Sequence, residues 1–452
     1  MRTFLRLWSG QAVSLVGSAL TSFALGVWVY QETGSVTRLG LVYLLVFLPG
    51  ILVAPFTGAL VDRLDRRAVL LTTVSGGLLN VLALAALHHA DALQPGHVYL
   101  TSAVTSVLIA VQTPAFAASV GPLVGRSGLG RANGLVMLAH SVAQIAGPLA
   151  GGFLLQAVNL GGVLIIDGAS FLIALISLLT LRLPRPAPAA PGSGTSAATG
   201  VGEGAGGGTG LLAETAVAWR YVAARHGLVA LLVFYALLNF AVGFVDVLIT
   251  PLVLGFASTS ALGTVLAVGG IGMVIGSAAM GVWGGPGRRI HGVLLFSLIL
   301  GLALCAGALR PSLELIAGAA FVFLFCSAII NAANRSLWQV KVDPGMQGRV
   351  LSLENMVATA PLPIAYLLAG PATEQICRPL LSSDTAFARV AGALIGGNGP
   401  DRAIALLLLG SGLLVVAASV AGYLYPRLRR VDDELPDALP DRPVLTATEV
   451  NR

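Results

Sequence analysis

Apolar runs of about 20 residues recur from one end of the chain to the other, and nothing else in the sequence limits its fold so severely. As a helix rising 1.5 Å per residue, each run matches the roughly 30 Å hydrocarbon layer of a bilayer. Charge is correspondingly scarce. The chain is 56% hydrophobic and 10% charged, with a mean hydropathy of +0.88, whereas a soluble domain carries about a quarter charged residues. The expected fold class is an all-α polytopic membrane protein.

Twelve transmembrane helices are predicted. In the first half they are roughly Leu7–Tyr30, Leu39–Val61, Ala68–Leu87, Val98–Val124, Ala132–Val158 and Gly161–Leu181. In the second half they are roughly Leu228–Gly255, Ala261–Gly285, Ile290–Leu309, Leu313–Asn334, Val350–Thr373 and Arg402–Tyr425. The stretch from Ala132 to Ile166 is too long for one span, and Asn159-Leu160-Gly161-Gly162 supplies the turn that divides it. Between the halves, Pro184–Gly210 is dominated by Pro, Gly, Ala and Ser and reads as a flexible linker. Leu211 to His226 then reads as an amphipathic helix, with Leu211 and Val222 opposite Arg220 and Trp219 suited to the membrane interface. The domain reading is a six-helix bundle at 1–183, a linker and amphipathic helix at 184–227, a second six-helix bundle at 228–430, and a tail at 431–452.

The formal charge of +6 does not indicate nucleic-acid binding, because the arginines lie in short loops between apolar runs and only one lysine, Lys341, is present. Their placement sets topology instead, since Lys and Arg concentrate on the cytoplasmic side. With the N-terminus inside, Arg63, Arg66, Arg67, Arg126, Arg131, Arg182, Arg185, Arg220, Arg225, Arg288, Arg289, Lys341 and Arg349 are cytoplasmic. Only Arg38, Arg310, Arg378, Arg389 and Arg402 stay outside. Both termini are therefore expected in the cytoplasm of a bacterial inner membrane. The first run is too long for a signal-peptide core and reads as an uncleaved helix. Cys305 and Cys326 lie in apolar runs and Cys377 in a loop, with no disulfide framework.

One cytoplasmic loop is unlike the others. Asp62 to Arg67 reads DRLDRR, five charges in six residues, between two uncharged segments. A topology signal needs arginines but no aspartates, and here there are two. With Gly58 ahead of it, the loop resembles the signature G-x-x-x-D-R-x-G-R-R/K of the major facilitator superfamily. Gly58, Asp62, Arg63, Arg66 and Arg67 match, and Asp65 replaces the glycine, as in its macrolide-efflux and enterobactin-exporter branch. "YQETGSVTRLGLVYLLVFLPGILVAPFTGALVDRLDRR", "GRANGLVMLAHSVAQIAGPLAGGFLL", "IIDGASFLIALISLL" and "ELPDALPD" are similar to that branch too. The resemblance implies that Asp62 latches onto the positive N-terminal end of the eleventh helix, near Arg349 to Glu354, in the outward-open state. The arginines would then meet nearby acids and lipid headgroups. The equivalent loop of the second half, "GVWGGPGRRI", keeps Arg288 and Arg289 without the acid.

The fifth helix resembles the antiporter motif G-x8-G-x3-G-P-x2-G-G. Gly134, Gly147, Pro148, Gly151 and Gly152 fit in register, with Ala143 in place of one glycine. Small residues at this spacing let helices approach closely, and the resemblance implies export rather than uptake. A generic glycine-rich packing face is the alternative. A weak internal repeat, "GRANGLV" from Gly130 and "GRVLSLE" from Gly348, fits two related halves.

Acids inside a membrane are costly, so they are candidate functional groups. Asp167 lies about 9 Å below the outer surface by residue count. Asp246 sits in the outer half of the seventh helix, farthest from both interfaces and without an arginine within a helical turn, which makes it the leading proton carrier. Glu354 opens the eleventh helix and has a pairing role near Arg335 as its alternative. Gln11, Ser14, Ser18 and Ser22 form a polar stripe on the first helix. Gln112, His140, Gln144 and Asn239 lie at the depth of a central cavity, with Phe23, Trp28, Phe234 and Phe240 as apolar surface. Asn331, Asn334, Arg335 and Gln339 end the tenth helix as a polar network. His88, His89, Asp91 and His97 form a solvated outer loop rather than a metal site.

No nucleotide-binding Gly-Lys-Ser/Thr loop, hydrolase elbow or zinc pattern occurs, so an enzyme is not expected and no cofactor is called for. The predicted function is a proton-driven exporter of a small amphipathic organic molecule, such as a drug, siderophore or natural product, with substrate, protons and lipid as partners. A monomer is the expected unit. An uptake permease or a non-transporting scaffold is the alternative.

Overall fold

The computed structural model describes residues 1–181, 211–343, 345–397, 399 and 402–434. The Pro184–Gly210 linker and the tail beyond 434 lie outside the described residues, as do the side chains at 58–63, among them Asp62 and Arg63. The described residues are helical, with no strand among them. Among the described residues, eleven helices are long and apolar enough to cross a membrane. One of these, Gly128–Thr180, is 53 residues long, far beyond a single crossing. Its backbone leaves helical geometry at Asn159 (φ 57°, ψ −178°), at the predicted turn. The twelve-span count rests on that break.

The long helices are α1 (Arg2–Thr33), α2 (Val36–Arg63), α3 (Arg66–His89), α4 (Pro95–Gly125), α5 (128–158) and α6 (160–180). In the second half they are α7 (His226–Leu254), α8 (Thr259–Trp283), α9 (Arg289–Leu309), α10 (Leu313–Lys341), α11 (Gln347–Ser382) and α12 (Arg402–Leu424). Local chemistry sets several boundaries. Ser35, Ser258 and Ser312 cap α2, α8 and α10 by accepting backbone N–H groups. Gly34 and Gly284, both with positive φ, end α1 and α8. His97 Nδ1 accepts from Gln94 N at 3.1 Å and completes the α4 cap.

Three features differ from the sequence reading. Helix α11 runs on through a π-helical turn at Ala372–Cys377, so Cys377 is a buried helix residue rather than a loop residue. Helix α10 runs on to Lys341. An extra amphipathic helix, Ala386–Ile395, fills the loop before α12, burying Ala388, Ala391 and Ile395. The helix at Leu211–Ala223 forms as expected, with Ala218 and Val222 fully buried and Trp219 exposed.

One apolar core is built from α1–α6 alone, around Leu70, Val74, Leu84, Leu164 and Leu178. A second belongs to the C-terminal helices, around Leu231, Ile330, Leu337 and Trp338. A third joins the halves, packing Val27, Val36, Leu39 and Leu44 against Phe244, Val247, Leu362 and Tyr366. Its members share one end of the molecule, opposite the DRLDRR loop.

Close helix approach at that end depends on glycine. A Cβ on Gly152 of α5 would stand 2.6 Å from the Thr259 carbonyl oxygen of α8, and one on Gly263 would stand 2.5 Å from that of Pro148. Gly40 of α2 and Gly370 of α11 likewise abut the backbone of Tyr366 and Thr37. Toward the DRLDRR end such contacts stop: Gly134 of α5 and Gly281 of α8 have open space around them. Phe56 of α2 is 70% exposed, and Met137, Leu138, Ile275 and Met356 are exposed too.

Forcing a valine into the Gly263 contact overpacks it at a typical cost of about 1–3 kcal/mol. Ser35 and Glu374 are hydrogen-bonded across the same end at 3.5 Å. In a Ser35→Cys, Glu374→Cys protein, Gly263→Val is expected to lower short thiol cross-linking roughly fivefold or more. Unchanged cross-linking would show that this packing does not hold the end shut.

Candidate functional site

The space between the two halves, which close packing joins at the end opposite DRLDRR, is the candidate substrate path. On α5, about 100° per residue separates successive side chains. Ala143, Gly147 and Gly151 form one sector; Cβ atoms on the two glycines would stand 2.7 Å from Ala19 and Phe23 of α1. Pro148, Gly152 and Ile145 form the sector facing Gly263 and Gly270 of α8. Gln144 falls between those sectors, whereas His140 lies on the sector of Ala143, Gly147 and Gly151; both are exposed. Gly134 has open space around it and makes no close helix contact.

The other cavity candidates are placed differently. Gln112 of α4 donates to Gln11 Oε1 of α1 at 2.6 Å, tying two helices of the N-terminal half. Ser14 is buried, and Ser18 lines a pocket enclosed by the N-terminal helices rather than the gap. Asn239 donates back to the Tyr235 carbonyl of its own helix at 3.2 Å. Phe234 is 5% exposed in the C-terminal core, so it offers a substrate no surface. Phe240 stacks edge-on with Phe244, ring centroids 4.9 Å apart.

The three acids occupy three settings. Asp246 accepts from Tyr366 Oη at 3.0 Å, linking α7 to α11. The Tyr366 ring meets Tyr43 and Phe47 of α2, with centroids 5.8 and 6.2 Å away. Asp246 is thereby one residue removed from the contact that closes the far end. Glu354 accepts from Asn334 Nδ2 at 3.0 Å, with Arg335 nearby. Tyr235 extends this network by donating to Asn331 Oδ1. Asp167 is 1% exposed inside the N-terminal half, taking Ser170 Oγ at 3.0 Å.

The charged loop is built as a helix start. Asp65 Oδ1 accepts from Arg67 N at 3.0 Å and caps α3. Arg66 and Arg67 donate to the carbonyls of Ala118 and Leu179, at 2.8 and 3.0 Å, near the ends of α4 and α6. Arg67 thus braces the C-terminus of α6, where a cation is favoured, and Arg66 satisfies the Ala118 carbonyl that Pro122 leaves without an N–H partner. In the second half the missing acid arrives from the tail. Asp432 Oδ2 accepts from Ile290 N at 2.9 Å, and its carbonyl accepts from Lys341 Nζ at 2.6 Å. Asp433 pairs with Arg288 at 3.5 Å.

Sequence comparison decides the family. Residues 7–365 match the Major Facilitator Superfamily. The chain belongs to that superfamily of membrane transporters. It is 26% identical to macrolide efflux protein A of Streptococcus pyogenes over 388 residues, covering 82% of this chain and 90% of that protein. The namesake from Enterococcus faecalis is 26% identical over 336 residues, covering 71% and 96%. Among solved structures, the nucleoside transporter NupG superposes with a TM-score of 0.70 at 14% identity, covering 94% of this chain and all of that one (100%). A bacterial Spinster homologue in an inward-facing, unoccupied conformation gives 0.67 at 16% identity, covering 95% and 96%. The facilitator fold, all-α and multi-pass, is therefore established.

Sequence reasoning missed Tyr366, Tyr43 and Tyr235. Tyr235 precedes Asn239 by one helical turn, a legible signal; the Tyr366–Asp246 pairing has none, because 120 residues separate them. Hydrogen bonds to charged groups are worth about 1.5–3 kcal/mol. Tyr366→Phe keeps the ring and deletes the donor. It is expected to lower the unfolding temperature in detergent in the parent, and to have little further effect in an Asp246→Ala background. Additive losses would mean that the two residues act independently.

Proposed function

We propose that the chain is a proton-driven exporter of small amphipathic organic molecules, macrolide-like compounds foremost, working by alternating access in a bacterial cytoplasmic membrane. The observation that carries this is the asymmetry of the gap. Close glycine packing joins the halves at the end opposite DRLDRR, while Gly134 and Gly281 toward the DRLDRR end have open space around them. The arginine-rich end is cytoplasmic by the distribution of positive charge, so the conformation is one that admits substrate from inside. The named macrolide efflux relatives support outward transport, and the α5 motif supplies the close contacts with α1 and α8 on which such rocking turns.

Asp246 is the coupling acid in this reading. It lies at the joint between α7 and α11 and reaches the α2 contact through Tyr366. Neutralising it changes what Tyr366 is bonded to, and that contact helps hold the outer end shut. A proton arriving from outside and leaving inside would thus drive one cycle of opening and closing. Asp62 has the complementary role, its carboxylate steadying the start of α11 when the inner end closes. Such a charge at a helix end is worth about 0.3–1 kcal/mol, or up to about 2 when partly buried, enough to shift a two-state balance several-fold.

The test uses everted vesicles, acid inside, and a radiolabelled macrolide. Wild type is expected to accumulate it against its gradient with release of protons, and to lose this with a protonophore. Asp246→Asn is expected to exchange macrolide at equilibrium without concentrating it. Normal uphill accumulation by Asp246→Asn would remove it from the coupling step, and protonophore-insensitive accumulation would refute proton drive.

A further inference from the structure

The N-terminal half encloses a second polar space that neither the substrate path nor the Asp246 joint uses. Its walls come from α1, α2, α3, α4 and α6. Asp167 reaches it from α6 while 99% of its surface is hidden, its relative exposure being 1%. The carboxyl is pressed against the α1 backbone, for a Cβ on Gly17 would stand 2.6 Å from Oδ1. Ser170 Oγ donates to the same oxygen at 3.0 Å. One turn along α1, Thr21, 6% exposed, holds its hydroxyl beside the carboxyl. From α3, Asn80 Nδ2 donates to the Thr101 carbonyl at 3.0 Å and to Thr105 Oγ at 2.8 Å. That fixes the amide and leaves Oδ1 as the atom able to accept.

A buried carboxylate needs a proton or a positive partner, because an uncompensated charge in a low-dielectric interior is prohibitively costly. Among the described residues no arginine, lysine or histidine lines this space, and Asp167 is its single acid. The remaining polar groups are hydroxyls and one amide, brought in from three helices besides that of the acid. Oxygen donors arranged about one negative charge suit a hard cation. One carboxylate balances a single charge, whereas divalent sites draw on several acids together with neutral oxygens.

We propose that this space is a monovalent-cation site of the sodium class, with the Asp167 carboxylate as its charged ligand and the oxygens of Thr21 and Asn80 among its neutral ones. The cation would tie α6 to α1 and α3, stiffening the N-terminal half against which the C-terminal half rocks. This site is independent of proton coupling at Asp246, which lies in the other half.

The measurement is the unfolding temperature of the full chain in detergent at pH 8, with sodium chloride replacing choline chloride at constant ionic strength. A ligand that binds only the folded state raises stability by RT ln(1 + [L]/Kd), so the midpoint is expected to climb with sodium. Asp167→Asn is expected to abolish the rise. Thr21→Val, which keeps the shape and removes the oxygen, is expected to move half-saturation several-fold upward. Asp246→Asn is expected to leave the sodium response intact, which separates this site from the coupling step. A wild-type midpoint indifferent to sodium overturns the proposal, as does a sodium response undiminished in Asp167→Asn. A midpoint that follows pH alone and loses that dependence in Asp167→Asn would also overturn it, identifying a proton-only site.

Discussion

Close backbone packing between the two halves at one end is the interaction on which the rest of the structure depends. In a bilayer, lipid tails are as apolar as leucine, so helices gain little by hiding apolar surface from them. What holds halves together is shape: glycines that let one helix touch the backbone of another. Here these contacts are Gly152 with Thr259, Gly263 with Pro148, Gly40 with Tyr366 and Gly370 with Thr37. Concentrated at one end, they leave the other end without such contacts, as the open space around Gly134 and Gly281 shows. Packing of this kind is bistable, because a glycine contact is lost outright once the helices separate by a side chain's width.

Polar groups are distributed to serve that arrangement. Asp65 and Asp432 occupy equivalent places, each capping the helix that follows a charged loop. The first acid is local and the second comes from the tail, so both halves anchor the same end by the same chemistry with different connectivity. Asp246 and Tyr366 put an ionisable group beside the closed contact.

Much of this was legible in the sequence. The span boundaries follow from hydropathy, and the break at Asn159 from the turn chemistry of Asn-Leu-Gly-Gly. The α5 motif marked where helices touch, because small residues spaced along one helix have a direct geometric meaning. Legibility failed where a partner lies far along the chain. Nothing near Arg288 announces Asp433, and nothing near Asp246 announces Tyr366. It failed again for Ser18 and Phe234, since a stripe gives the face of a helix but not which neighbour covers it.

The central claim is that the two ends open and close reciprocally, and paired spin-label distances test it most directly. One pair, Leu64→Cys with Ser352→Cys, spans the DRLDRR end, and another, Ser35→Cys with Thr385→Cys, spans the closed end. On adding a macrolide at acid pH, the first distance is predicted to shorten while the second lengthens, and Asp62→Asn is predicted to blunt the shortening. Distances that stay fixed at both ends, or that change in the same direction, would contradict the account.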